Sequence, residues 1–223
     1  MELNYISIPY EGDCGAVAGR LRISEDDEEE FRAIWEACKR IANPKGVFGQ
    51  REVRQDGPLT YVDGWGFDSK VLKVNLAGLT RAFPYVISCG RELYDFAQAT
   101  EDPLVRYWID AISEAALREV GLRLRQTVQE TYNLGYIGCV NPGSLADFPI
   151  SCQRPLFAML GEGPKQIGLQ LTDSFLMLPY KSGSGIYFES EHRYENCSLC
   201  PRKRCPGRRA PYDEKLLRET YEL

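Results

Sequence analysis

A long stretch from Pro103 to about Tyr132 keeps one apolar face at helical spacing, and this does most to limit the possible folds. Leu104, Trp108, Ile112, Ala115, Ala116, Val120 and Leu124 fall mostly on one side of it. Pro103 suits a first-turn position, where its missing N–H costs nothing. The flanking segments are of another kind. Val47-Phe48, Leu59–Val62, Val71–Asn75 and Phe83–Ile87 are short β-rich runs divided by Gly, Asp and Pro. After the helix, Ile167–Leu171, Phe175–Leu178 and Ile186–Glu189 read as strands. Helical and strand segments are mixed rather than strictly alternating, so the expected class is α+β.

Smaller elements fill the rest. Leu3–Ile8 alternates weakly and reads as a strand. Ser24 precedes the acidic run Glu25–Glu30, followed by Phe31, Ile34, Trp35, Cys38 and Ile41 at helical spacing. The serine can cap free N–H groups, the acids suit the positive helix end, and Asn43-Pro44 stops the helix. Short helices are expected at Leu93–Ala99, Gln153–Leu160 and Asp213–Tyr221. The Gly-rich segment around Cys14 and the stretch Gly135–Pro149 read as loops, and Ser182-Gly-Ser-Gly185 as a turn.

Composition narrows the function classes. The 223 residues are 43% hydrophobic, enough for a real core without help from a metal. The net charge of −5 argues against nucleic acid as the main partner. The one basic cluster, Arg202-Lys203-Arg204 with Arg208-Arg209, reads as a solvated loop or as a docking patch for an acidic partner. No apolar run reaches membrane-spanning length, and the N-terminus lacks signal-peptide character, so a cytoplasmic chain is expected. Eight cysteines in such a chain point to metal or redox chemistry more than to disulfides.

Cys197-Ser-Leu-Cys200-Pro-Arg-Lys-Arg-Cys205 puts three thiols within one short loop. Thiolates are soft ligands that favour iron–sulfur clusters and zinc. Iron–sulfur, and 4Fe-4S in particular, is the leading expectation. Zinc is the alternative, since only one Cys-x2-Cys knuckle is present where zinc ribbons carry two. A fourth ligand must come from elsewhere. Cys139, Cys89 and Cys152 are the main candidates, with Cys14 and the sole histidine, His192, behind them. Cys38 lies on an apolar helix face and reads as a small buried hydrophobe. The expected organisation is a domain over 1–195 with a metal-binding segment, 196–223, packed on it.

Four motifs carry a resemblance: Asn141-Pro-Gly-Ser144, Asp147-Phe-Pro149, Ile167-Gly-Leu-Gln-Leu-Thr-Asp-Ser-Phe-Leu-Met-Leu-Pro179, and Ser182-Gly-Ser-Gly-Ile-Tyr-Phe188. Across residues 104–190 the chain resembles the activation domain of cobalamin-dependent methionine synthase. It is still more similar to free-standing relatives of that domain that add a C-terminal cysteine cluster. The resemblance implies a twisted antiparallel sheet in a C-shaped α+β domain. It also implies S-adenosylmethionine as ligand, docking on a cobalamin domain, and reductive methylation of Co(II). The family's adenosylmethionine motif is Arg-x-x-x-Gly-Tyr, and the matching positions here are Cys139, Gly143 and Ser144. Cysteine cannot replace a bidentate arginine contact to a carboxylate, which argues against adenosylmethionine at that position. Tyr187 matches a family tyrosine near the cofactor, or is a core aromatic.

The expected function is therefore an iron–sulfur accessory protein for reductive activation of a corrinoid protein in a methyl-transfer system. The alternatives are a corrinoid- or partner-binding scaffold with a structural metal, and an adenosylmethionine-binding reactivase with an altered pocket. A phosphate loop, a Gly-x-Gly-x-x-Gly motif and a nucleophile–histidine motif are all missing from the sequence.

Overall fold

The structure is a computed structural model that describes residues 2–191, 194–205, 208–221 and 223. The chain opens with β1 (Asn4–Ser7) and α1 (Cys14–Leu21). The segment around Cys14 is thus a helix and not the loop its glycines suggest. Asp13 starts it by accepting from the Ala16 N–H at 3.0 Å. Ser24 does not cap the next helix. Its hydroxyl donates to the Asp27 carboxylate at 2.6 Å, and one 3-10 turn leads into α2 (Glu28–Ile41).

Four strands follow, β2 (Lys45–Phe48), β3 (Arg51–Asp56), β4 (Leu59–Val62) and β5 (Trp65–Phe67). The next element corrects an expectation. Val71–Asn75 lies in a short helix, α3 (Lys70–Asn75), and not in a strand. The Ser69 hydroxyl accepts from the Leu72 N–H, and the Asp147 carboxylate accepts from the N–H groups of Lys70 and Val71. A first turn so fully capped overrides the weak β preference of its valines.

Beyond it come β6 (Arg81–Ser88), α4 (Arg91–Ala99) and α5 (Pro103–Tyr132). Asp102 caps α5 by accepting from Leu104 and Val105, and Asn133 ends it in a left-handed conformation. The supposed loop after it begins with β7 (Tyr136–Val140). The remaining elements are α6 (Gln153–Leu160), α7 (Gly163–Gln166), the two-residue strands β8 (Gln170–Leu171) and β9 (Met177–Leu178), β10 (Ser182–Ser190) and α8 (Glu214–Tyr221). Ser182–Gly185 is the start of β10 and not a turn.

The main sheet is antiparallel throughout and built around β6. One edge of β6 pairs with β10, with Gly185 opposite Tyr85 and Gly183 opposite Ile87. The other edge pairs with β2 and then with β3. β1 adds to β2, β4 and β5 extend from β3, and β7 adds to β10 with Cys139 opposite Tyr187. This is the expected α+β class with a helix-flanked antiparallel sheet.

Strand alternation sorts the side chains to two faces. On one face, Val120, Leu124 and Val128 of α5 pack on Phe48, Phe83, Tyr85, Ile87, Cys139 and Tyr187. On the other, Val47, Val86, Ile186 and Phe188 pack against α3 and α6, and Leu199 and Tyr221 join them from the C-terminal segment. The first half of α5 packs instead on α2 and α4 through Trp108, Ile109 and Ile112. Each such side chain, when fully buried, contributes about 1.5–3 kcal/mol. One helix thus ties the helical layer to the sheet face that carries Cys139.

Candidate functional site

The loop after β7 is shaped by its own hydrogen bonds. Gly143, at a positive φ of 80°, donates its N–H to the Phe148 carbonyl, and Ser144 donates to Asn141. Asp147 leaves this loop to cap α3, accepting from Lys70, Val71 and the Ser69 hydroxyl. Asp147 therefore has a structural role at this loop. Asp147→Ala strips three hydrogen bonds from a carboxylate and is expected to cost about 2–3 kcal/mol. Asp147→Asn, which keeps an accepting oxygen, costs less. Urea midpoints of the two variants check the order; equal midpoints would remove the capping role.

Between α5, this loop and the cysteine segment lies a cleft of about 1240 Å³. Its base is aromatic. Tyr85 and Tyr187 stack with ring centroids 4.1 Å apart and planes 10° from parallel. The Tyr85 hydroxyl meets the Cys139 sulfur at 3.3 Å. Asn141 Nδ2 donates to Tyr85 Oη at 3.0 Å and to the Ser184 carbonyl at 2.8 Å. Burial pushes the Cys139 thiol up; the Tyr85 hydrogen bond and the charges of Arg209 and Arg125 only partly oppose this. Burial likewise raises Tyr85 and Tyr187.

The cysteine segment forms one wall. A 3-10 turn over Asn196–Leu199 buries Asn196 and Leu199 and leaves Cys197 half-buried. Arg208 organises the rest of this wall. Its guanidinium donates to the carbonyls of Cys197 at 3.0 Å, Cys200 at 3.1 Å and Ala210 at 3.2 Å, and also to that of Arg202. The Arg209 backbone N–H points at the Cys197 sulfur at 3.5 Å, and its side chain pairs with Glu195 at 3.2 Å. Sequence reasoning missed Arg208, because an arginine binding loop carbonyls reads the same as a solvated one. Asp213 N–H donates to the Ser198 carbonyl, joining the segment to the start of α8.

Most of the expected site residues border the same cleft. Cys139, Cys197, Cys200 and Cys205 line this one cleft, as do Gly143, Ser144 and Tyr187. The other cysteines lie elsewhere. Cys89 sits with Cys38 in the helical core, where burial pushes each thiol up to about 12. Cys14 starts α1, and Cys152 precedes α6 outside the cleft lining. His192 and Pro206-Gly207 lie outside the described residues. Among the described residues, no group of three or more His, Cys, Asp or Glu side chains is already arranged to hold a metal ion. Four free thiols, those of Cys139, Cys197, Cys200 and Cys205, belong to residues that line one cleft, and the Cys197 sulfur receives an N–H.

No family model and no curated protein matches the chain. One solved structure settles the fold. It is the MetH reactivation domain bound to AdoHcy, matched with a TM-score of 0.58 over 87% of this chain and 81% of that one. The fold is shared. Sequence identity is 15%, so the likeness is one of architecture. Among the described residues, no helix is long and apolar enough to cross a membrane.

Proposed function

We propose that residues 196–223 form a metal-binding segment on a reactivation-type domain spanning 1–195. Cys197, Cys200 and Cys205, with Cys139 as the fourth ligand, would hold an iron–sulfur cluster, and the chain would serve reductive activation of a corrinoid protein in a methyl-transfer system. The observation that carries this is the shared cleft. Cys139 comes from β7 and the other three thiols from a loop more than fifty residues later, yet all four line one cavity. A cluster held there would supply electrons one at a time at low potential. The chain's own residues would position it and limit its contact with water, with Tyr85 and Tyr187 stacked beneath.

A redox metal is favoured over a purely structural one, such as zinc in a scaffold. Arg208 already holds the loop carbonyls, and Leu199 and Tyr221 already anchor the segment in the core. A segment folded by these contacts does not need a metal for that purpose. The second reading is an adenosylmethionine-binding reactivase with an altered pocket. The AdoHcy held by the structural neighbour and the size of the cleft favour it. Cys139 and Ser144 at the motif positions oppose it, and calorimetric titration with S-adenosylmethionine separates the two.

The test is anaerobic mixing of the loaded protein with a corrinoid protein held at Co(II) and a one-electron reductant, followed by the cobalt spectrum. Faster formation of Co(I), or of methyl-Co(III) once a methyl donor is added, is expected. An unchanged rate, or a colourless protein with stoichiometric zinc, would overturn the reading.

A further inference from the structure

We propose that a pocket between α1 and α5 binds a small, neutral, mostly apolar molecule whose oxygen accepts a hydrogen bond from the Tyr10 hydroxyl. This stands apart from the metal reading, because none of the cleft cysteines lines this pocket. The pocket holds about 350 Å³, at the lower end of the range of small-molecule sites. Ala16 and Val17 of α1 form one apolar wall, and Ala115 and Leu122 of α5 form the other.

Tyr10 supplies the unmet polar group. Its ring is 2% exposed and packs on Trp35 with centroids 5.4 Å apart. Its hydroxyl is buried and lacks a hydrogen-bond partner. Thr60, Glu92 and Gln153 carry the other such atoms among the described residues, and none of them lines this pocket. The hydroxyl end of the ring is the end that reaches the pocket, since a Cβ built on the pocket-lining Gly12 would overlap Tyr10 Oη. With no side chain at Gly12, a small shift of that loop opens Oη to a ligand. A buried hydroxyl without a partner costs stability that a phenylalanine would not, so a ligand that supplies the acceptor gives the tyrosine its use.

The rim sets the charge class. Arg118 pairs with Glu114 at 3.0 Å, and Arg20 lies 3.6 Å from the same carboxylate and donates to the Ala111 carbonyl at 3.3 Å. Asp13 caps α1, and Glu119 accepts from the Glu11 N–H at 3.2 Å. Two arginines and two carboxylates line the pocket, a balance that calls for no charge on the ligand. Burial, and then the charge of Glu119, push the ionisation of Tyr10 up, so its hydroxyl serves as a donor.

The experiment is an NMR titration of the full chain with acetophenone, which carries the oxygen, and α-methylstyrene, which matches its shape without one. Both probes are expected to shift the Gly12, Ala16 and Ala115 amides of the wild type saturably. Tyr10→Phe is expected to weaken acetophenone roughly three- to tenfold, the loss of one net hydrogen bond, and to leave α-methylstyrene unchanged. The ligand-free Tyr10→Phe protein is expected to melt about 2–4 °C higher, because it no longer buries an unpaired hydroxyl. A lower melt, or a failure to fold, would show a hydroxyl bonded within the fold and overturn the proposal. Ala16→Phe, on an exposed position of α1, fills the pocket and is expected to weaken both probes. Equal acetophenone affinity in wild type and Tyr10→Phe overturns the role of the hydroxyl. No saturable shift at these amides, or binding indifferent to Ala16→Phe, overturns the site itself.

Discussion

Cys197→Ala, Cys200→Ala and Cys205→Ala will each lower the iron content of the anaerobically reconstituted protein at least about tenfold, since even outer-shell changes at metal sites commonly cost that much. The absorption near roughly 400 nm from thiolate-bound iron will fall with it. The metal-free stability of the three variants will change by less than about 1 kcal/mol. The second half of this expectation comes from the structure. The loop is tied through carbonyl oxygens to Arg208, and the segment is anchored by Leu199 and by Tyr221, whose hydroxyl donates to Asn75 at 3.2 Å. None of these contacts uses a cysteine side chain. Cys14→Ala, on α1 and off the cleft, will keep its iron. Cys139→Ser completes the series. If it retains the full iron content and spectrum, Cys139 is not the fourth ligand, and the shared cleft has a different meaning.

The sequence made some elements legible because local and tertiary signals agreed there. Pro103 and a sustained apolar stripe mark α5, and the structure ends it at Tyr132. α6 follows the expected span, Gln153–Leu160. Where a distant partner decides, the local reading fails. Val71–Asn75 is β-rich in composition, yet Asp147, more than seventy residues later, caps it as a helix. Tyr136–Val140 carries turn formers at both ends and becomes a strand only because β10 pairs with it. This second miss matters most for the site. Reading Cys139 in a loop leaves it free to face anywhere, whereas in β7 its face is fixed opposite Tyr187. Three cysteines of the candidate site were visible as a spacing. The gathering of Cys139 with them is a property of strand pairing, which no local pattern encodes.

Gly185→Ala is expected to destabilise the protein by about 1–3 kcal/mol, as overpacked positions do, and to lower its Tm by about 2–4 °C for each of them. A methyl group there would lie 2.7 Å from the Val140 carbonyl oxygen, 2.7 Å from Asn141 Nδ2 and 2.9 Å from a ring carbon of Tyr85. The first of these is backbone of a paired strand and cannot turn aside. Ser182-Gly-Ser-Gly185 looks like a turn because glycine usually marks one, but glycine in a strand also marks close approach. Gly183 and Gly185 share one face of β10, opposite Ile87 and Tyr85 of β6. Their missing side chains make room for those two larger ones at the base of the cleft. Relieving the clash by moving Asn141 would break its bonds to Tyr85 and Ser184, so the damage would reach the Cys139 contact as well. Gly183→Ala meets only the Ile87 side chain, at 3.2 Å from Cγ1 and 3.3 Å from Cδ1, with no backbone in the way, and costs less. Gly135→Ala, with no atom within 4 Å, will stay within about 0.5 kcal/mol of wild type. Thermal melts of the three variants give the ranking. A Gly185→Ala protein as stable as Gly135→Ala would show that β10 can shift away from β7 and β6, and that the cleft base is looser than its contacts imply.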